Sequence, residues 1–424
     1  MSLYSNGTIK SVILDPTNYR ANSRAVYKLD GERLYKSDLK LANIGVSVSN
    51  VNNSPVNNKL AGVGALIKSI SLLDGKTELD SCNECHRYYG FQQLLDSNSG
   101  NESMNRYLIR NSQGLRTVET GILKNLKAPS KLTTDLTTTP QGIIDLRDVL
   151  PLLRNLDMLD TANTFKNLKI VIEFETDTKL TVSDIQYTTT TLEPVLLCDV
   201  VEDPSIISGM AKQMPQMVQW NKIEHDVVNV PEAKRTSGSI AVAQGVQPVS
   251  KKVRGFDNKR VGRLLAIKTY TNPLNATVAN AVRDVGNLGS IAAYDEVFNV
   301  RVNGKSILSR KGNDKAPNAR LAMLSDTYGD MASYFGSNLT GIDGMAALVD
   351  DGLNKLGRLD YFGLTINESI QDLQFSYDRT NLVTTNSTPA KLATMTNAGM
   401  DIHLYAEVAK TISFSPNGYN VAYV

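Results

Sequence analysis

The residue group best suited to chemistry is Cys82-Asn83-Glu84-Cys85-His86. Two thiols and an imidazole at this spacing fit the C-x-x-C-H pattern through which c-type haem is attached. Haem attachment needs export to an oxidising compartment. The first 20 residues, MSLYSNGTIKSVILDPTNYR, hold no apolar run of signal-peptide length. A closed zinc site needs four ligands. The other cysteine and histidines, Cys198, His225 and His403, all lie far away in sequence. The simpler reading is a strand-to-helix turn with small buried thiols. Three cysteines are too few for a disulfide scaffold, and an odd count fits a reducing compartment.

Three segments approach the phosphate-binding loop G-x-x-x-x-G-K-[ST]. In GVGALIKS at 62–69, Ile67 stands where the second glycine is needed. Gly75-Lys76-Thr77 has Ile70 at the first glycine position, and Gly304-Lys305-Ser306 has Asn299 there. Those glycines let backbone N–H groups approach phosphate, so the three segments predict turns and strand starts instead. Ile67 likewise replaces the third glycine of a dinucleotide fingerprint beginning at Gly62.

No G-x-S-x-G elbow or H-E-x-x-H helix occurs. Glu224-His225-Asp226 sets acids beside a histidine, but neighbours in a strand point to opposite faces. A hydrolase would need a polar cluster converging on His225 or His403, because triads assemble from distant positions. The segment 251–263, KKVRGFDNKRVGR, carries Lys251, Lys252, Arg254, Lys259, Arg260 and Arg263 against one acid. It is the candidate contact for a polyanion or a neighbouring subunit, with a solvated loop as the alternative. No catalytic, metal or cofactor set emerges, and the sequence predicts no enzyme and no cofactor.

The elements that must position these residues are strands. In NLKIVIEFETD at 167–177, Leu168, Ile170, Ile172 and Phe174 alternate with Lys169, Glu173 and Glu175. The same alternation marks 371–379 and 400–410. Further strands are predicted at 24–29, 34–48, 64–73, 195–201, 217–230, 261–271, 296–302 and 419–424. Asp74-Gly75 and Asn303-Gly304 signal hairpins through the positive φ that such turns need. Helical patterns are short, at 84–96, 145–156, 318–334 and 343–354. Asp145 is a plausible cap for the second, and Pro151 breaks it. Helices this few exclude a βαβ alternation and a parallel sheet.

The 424 residues hold 45 Lys and Arg against 43 Asp and Glu, a formal charge of +2. That balance argues against a histone-like nucleic-acid binder. A hydrophobic fraction of 41% argues against wholesale disorder. No run approaches the ~18 apolar residues of a membrane span, so a soluble protein made inside the cell is expected.

A weak internal repeat organises the chain. DGKTEL at 74–79 returns as NGKSIL at 303–308, 229 residues later (303 − 74). Each copy precedes a helical pattern and then a strongly alternating strand, 167–177 matched with 400–410. A final apolar strand closes each half. The sequence therefore predicts an N-terminal arm at 1–20 and two β-rich domains at 21–205 and 206–424, with the boundary in 202–216.

With that duplication the chain resembles the double jelly-roll major capsid proteins of icosahedral double-stranded DNA viruses, those of polinton-like viruses and virophages above all. The resemblance rests on GALIKSISLLDGKTELDS at 64–81, on the passage from LRNLDMLDT to NLKIVIEFE across 153–175, and on QDLQFSYDRT, MDIHLYAEVAKTISF and YNVAYV toward the end. It covers most of 20–424. It implies an all-β fold of two tandem eight-stranded jelly-roll sandwiches with short helices in the connecting loops. It also implies homotrimers of pseudo-hexagonal outline that tile a capsid face beside other capsomers, penton and minor capsid proteins. The location implied is the virion, assembled inside the host cell. Neither specific nucleic-acid binding nor a transmembrane segment is expected. The competing class is a two-domain β-sandwich attachment protein, a spike or fibre that binds carbohydrate.

Overall fold

The computed structural model describes residues 9–20, 23–45, 47–48, 63–89, 141–175, 185–186, 193–211, 216–231, 249–270, 295–308, 312–313, 323–324, 326–329, 361–380, 400–415 and 418–424. Among these, residues up to Ile223 and from Ala409 onward form one compact unit, and Glu224–Val408 belong to a second. The sequence cut falls at 205/206. The compact units change at Ile223/Glu224, and the closing strand returns to the first unit.

The strands of the first unit follow the predicted alternation. They are β1 (Ile9–Leu14), β2 (Asn18–Arg20), β3 (Arg24–Leu29), β4 (Leu34–Lys36), β5 (Lys40–Gly45), β6 (Ser47–Val48), β7 (Ile67–Asp74) and β8 (Thr77–Asn83). Then come β9 (Gln141–Asp145), β10 (Met158–Asp160), β11 (Leu168–Phe174), β12 (Ile185–Gln186) and β13 (Val195–Val201). β1 lies within the stretch expected to be an arm, yet it pairs along six of the seven residues of β13, from Ile9↔Val201 to Leu14↔Leu196. β4 and β5 together line the other edge of β13, and β10 and β9 line theirs. The facing sheet runs β2-β3-β11-β7-β8.

β14 (Met217–Val230) leads into the second unit, followed by β15 (Val249–Lys252), β16 (Lys259–Tyr270), β17 (Asp295–Val302), β18 (Lys305–Ser306) and β19 (Gly312–Asn313). β20 (Tyr361–Ile370), β21 (Leu373–Thr380), β22 (Met400–Ser415) and β23 (Gly418–Tyr423) complete the chain. One sheet runs β14-β22-β16-β20 and the other β15-β21-β17-β18, with β19 beside β17.

Counting β4 with β5, β9 with β10, and β18 with β19 as single interrupted strands, and setting aside the short β2, β6 and β12 and the closing β23, each unit has eight principal positions. In both, the spatial order is 1-8-3-6 in one sheet and 2-7-4-5 in the other. Among the described residues, every pairing whose register is known is antiparallel. This order is a jelly roll. It also corrects the strand matching of the repeat. The strand at 167–177 holds position seven, as β21 does, while 400–410 holds position eight, as β13 does.

Inward residues of both sheets merge into one core in the second unit. Phe298, Val300 and Val302 of β17 and Leu373, Phe375 and Tyr377 of β21 meet Leu264 and Ala266 of β16 and Ile402, Leu404 and Ala406 of β22. Phe298 stacks on Phe362 at 4.0 Å between centroids. The first unit buries Tyr27, Ile70, Leu72, Ile170, Ile172, Leu196 and Val200 in the same alternating way. There the Tyr27 hydroxyl donates to the Pro194 carbonyl oxygen at 2.6 Å, joining β3 to the entrance of β13.

The two hairpins differ in their turns. Asn303 and Gly304 both have positive φ, +51° and +78°, as a type I′ turn requires. In the other hairpin Asp74 is the last strand residue and pairs with Thr77, so the loop is Gly75-Lys76. Only Gly75, at +60°, is left-handed there, the pattern of a type II′ turn.

Helices remain short. Asp145 caps Leu146–Asp148 by accepting the Arg147 N–H at 3.0 Å, and beyond Pro151 one α-turn follows at Leu152–Asn155. Described residues 85–89, 323–324 and 326–328 are helical, whereas 343–354 falls outside the described residues. Within the stretch read as a polar boundary, Pro204–Ala211 forms a helix whose Ile207 packs on Leu34 and Val201. No helix among the described residues is long and apolar enough to cross a membrane.

Candidate functional site

The Cys-His segment is the predicted strand-to-helix turn. β8 ends at Asn83, Glu84 reverses the chain at φ +49°, and a helical turn begins at Cys85. Cys82 and Cys85 are free thiols at 0% and 1% exposure. Their mutual hydrogen bond, together with burial, raises the Cys82 thiol well above its ordinary value. Sulfur so enclosed is not presented for haem attachment.

His86 is fully buried. Its Nδ1 accepts the Arg87 backbone N–H at 3.0 Å, which leaves the proton on Nε2, and Nε2 donates to Glu175 Oε2 at 2.8 Å. Burial lowers the imidazole pKa, and the Glu175 bond opposes that shift. Glu84, His86 and Glu175 bring potential ligand atoms within 4.8 Å of one another. Two features close this trio to a metal. The Arg87 guanidinium already bridges Glu84 and lies 3.2 Å from His86 Nε2. A metal-bound Nε2 would also need its proton moved to Nδ1, where the Arg87 N–H already points.

The sequence reading missed a second polar group in the first unit. Asp80 is fully buried and accepts the Leu152 N–H at 2.8 Å and the Ser81 N–H at 3.0 Å. Burial pushes its carboxyl up to about 7, against the pull of those bonds and of Lys222 and Lys410. Lys222 pairs with Glu78, and Lys410 donates to the Leu79 carbonyl oxygen at 2.9 Å. The signal was present in the alternation. Lys222 continues the buried series Val218, Trp220, and Lys410 continues Ala406, Val408. A lysine in an apolar slot of a half-buried strand needs a carboxylate or carbonyl opposite it.

In the second unit the remaining two histidines converge. His225 Nε2 and His403 Nδ1 are 3.0 Å apart, the rings stack at 5.3 Å, and Tyr405 packs on His225 at 4.8 Å. The flanking acids turn away, as strand geometry demands. Glu224 takes Lys259 at 3.3 Å and Asp226 takes Lys251 at 3.0 Å. Neither acid orients an imidazole as a triad would.

The basic segment is largely balanced within the chain. Beyond Lys251 and Lys259, Lys252 pairs with Asp372 at 3.0 Å. Arg263 holds Glu407 at 2.8 Å and lies over Tyr328. Arg254 and Arg260 are exposed and make no ion pair among the described residues. Gly75-Lys76 is the loop of one hairpin, and Gly304 ends the loop of the other, with Lys305 opening β18. At Gly64 a Cβ would lie 2.2 Å from the Tyr89 ring, so close packing accounts for that glycine.

No family model matches the sequence, and no curated protein matches it. Solved structures do. The crystal structure of Vp54 of the virus PBCV-1, fitted into a cryo-electron-microscopy reconstruction of the virophage Sputnik, aligns over 100% of this chain and 99% of that one. The TM-score is 0.52 at 11% identity. The fold is the double jelly roll. The mavirus major capsid protein aligns over 99% of this chain and 90% of its own, with TM-score 0.49 and 8% identity. Within this double jelly roll, the thiols, histidines and most of the basic segment are engaged by other groups of the chain.

Proposed function

We propose that the chain is a non-enzymatic major capsid protein that forms homotrimers of pseudo-hexagonal outline and tiles the shell of an icosahedral double-stranded DNA virus of the virophage or polinton-like type. The observation that carries this reading is the repetition of one jelly-roll order in both units, alongside a likeness to a capsid protein fold that spans the whole chain. Two sandwiches in one polypeptide give a trimer six similar lobes, enough to fill a hexagonal lattice position. The protein then resides in the virion, with its own copies, neighbouring capsomers, and penton and minor capsid proteins as partners. The two domains expected at 21–205 and 206–424 belong to the same proposal, with the arm expected at 1–20 lending β1 to the first of them.

Within it, Arg254 and Arg260 are the members of the basic segment available to carboxylates of a neighbouring subunit, and Lys251, Lys252, Lys259 and Arg263 hold the segment in shape. Light scattering and electron microscopy of the purified protein test the proposal. Particles of three chain masses with hexagonal outline are expected. A protein that stays monomeric at micromolar concentration overturns it.

A further inference from the structure

We propose that residues 409–424 are a strap that closes the first unit, so that this unit completes its fold only after the second has been made. The chain leaves the first unit after Ile223 and returns to it at Ala409. The return falls inside one continuous strand. β22 pairs with β16 over Met400–Val408 and with β23 over Lys410–Ser415. The former stretch belongs to the second unit, and the remainder, with β23, belongs to the first. The Val424 N–H donates to the Ala409 carbonyl oxygen at 3.1 Å and ties the open end of the hairpin.

The strap reaches three separate places in the first unit. Phe165, ahead of β11, is fully buried, with the Phe414 ring edge-on at 6.2 Å and the Tyr419 ring at 5.2 Å. At the turn between β7 and β8, the Tyr419 hydroxyl donates to Asp74 Oδ2 at 2.8 Å, while Asp74 Oδ1 accepts the Asn167 N–H at 2.7 Å. The third place is on β8. The pairing of β7 with β8 skips Leu79, and the extra residue of such a bulge is left out of the ladder. The Lys410 ammonium donates to the Leu79 carbonyl oxygen at 2.9 Å and to that of Glu78 at 3.2 Å. Lys410 is 4% exposed and also lies over the Trp220 and Tyr423 rings. A buried ammonium needs acceptors around it, so Lys410 keeps its place only while β8 is formed, and β8 gains a donor at its bulge only while Lys410 is there. Domains ordinarily fold as units during synthesis, the earlier before the later. Here Phe165 and the bulge of β8 wait for residues synthesised after the whole of the second unit.

The test is amide hydrogen exchange of the full chain in low denaturant, which resolves the segments that open together. Residues 409–415 are expected to open with β3 and β11, and residues 400–408 with β17 and β21, so that one strand divides between two opening events. In Phe414→Ala, which uncovers Phe165, exchange in β3, β7 and β11 is expected to rise by more than about tenfold, with β17 and β21 unchanged. Tyr419→Phe, which removes only the hydroxyl bond to Asp74, is expected to act in the same direction by less. Should Phe414→Ala fail to fold, the wild-type chain and Tyr419→Phe decide. Opening of β22 as a single piece overturns the strap. So does acceleration confined to 409–424 while β3 and β11 stay protected, the behaviour of a tail resting on a finished domain.

Discussion

The sheets of order 1-8-3-6 have the same topology in the two units and opposite outer faces. In the first, the outer face of β1, β13 and β4 is apolar only at one end, where Ile207 covers Leu34 and Val201, and is wet and polar beyond it. Ser11 donates to Asp199 at 2.7 Å, Lys36 approaches the same carboxylate at 3.8 Å, and Ile13 stands 64% exposed. In the second, the outer face of β16 and β22 buries Leu265, Ile267, His403, Tyr405 and Glu407. The fold is therefore carried by the inward residues, which alternate alike in both units. The outward residues are free to diverge, and they are where each unit acquires its own chemistry.

The sharpest way to break that comparison is to place a charge on the outer face of each sheet. Leu265→Lys buries an unpaired ammonium and is expected to cost more than about 4 kcal/mol, enough to abolish the unfolding transition of the second unit in calorimetry. Leu197→Lys, on the half-exposed outer face of β13, is expected to change stability by less than about 1 kcal/mol. Equal losses at both positions would show that the two faces are energetically alike.

The units also store buried carboxylates differently, and this predicts a pH dependence. Asp80 has a folded pKa of about 7 against an ordinary 3.8. A carboxyl whose pKa is raised by folding stabilises the folded state while protonated. That contribution is complete below about pH 4 and is lost as the pH climbs to about 7. Asp80→Asn cannot ionise, so its stability relative to the wild type is expected to rise by roughly 2–4 kcal/mol between pH 4 and pH 8. Denaturant midpoints at both pH values measure it, and a constant difference would mean that Lys222 and Lys410 hold Asp80 ionised throughout.

Glu407 in the second unit is held by an arginine instead. Arg263→Met leaves that carboxylate buried without its guanidinium, which for a fully enclosed pair costs about 3–5 kcal/mol. The Arg263 side chain is 40% exposed, so screening and water reduce the expected loss to about 1–2 kcal/mol. Lys36→Met, facing half-exposed Asp199 in the first unit, is expected to cost about 0–1 kcal/mol by the same thermal measurement.

The asymmetry between faces also explains what the sequence disclosed. Inner alternation is a local, period-two signal, so β3, β13, β14 and β17 were legible to within a residue, and β11 to within three. The match of 167–177 with 400–410 failed because both are strongly alternating strands, and alternation reports burial without reporting position in a sheet. Only the pairing, β11 with β3 and β7 against β22 with β14 and β16, separates them. The histidine contact was invisible for a related reason. His225 and His403 are 178 residues apart, and register between distant strands is not written in either strand alone. The buried lysines were legible in principle, since Lys222 and Lys410 interrupt apolar series. The Arg87 cap on Glu84 was half legible as an i,i+3 pair, but Glu175, which completes it, comes from the end of another strand.

The smallest expected effect tests the hairpins, the one feature the repeat displays in sequence. DGKTEL and NGKSIL look alike, yet their glycines occupy different turn positions. Gly304 is the second loop residue of a type I′ turn with φ +78°, a left-handed site that asparagine also tolerates. Gly304→Asn is therefore expected to cost under about 0.5 kcal/mol, and Gly304→Ala about 1 kcal/mol. Gly75 is the first loop residue of a type II′ turn, where a side chain meets its own backbone whatever its polarity. Gly75→Asn and Gly75→Ala are expected to cost alike, about 1–2 kcal/mol. No atoms crowd either glycine within 4 Å, so the cost is conformational and not steric packing. Rescue by asparagine at 304 and not at 75, read as the shift in thermal midpoint, would show that sequence repeats conserve the hairpin while the backbone chooses its turn.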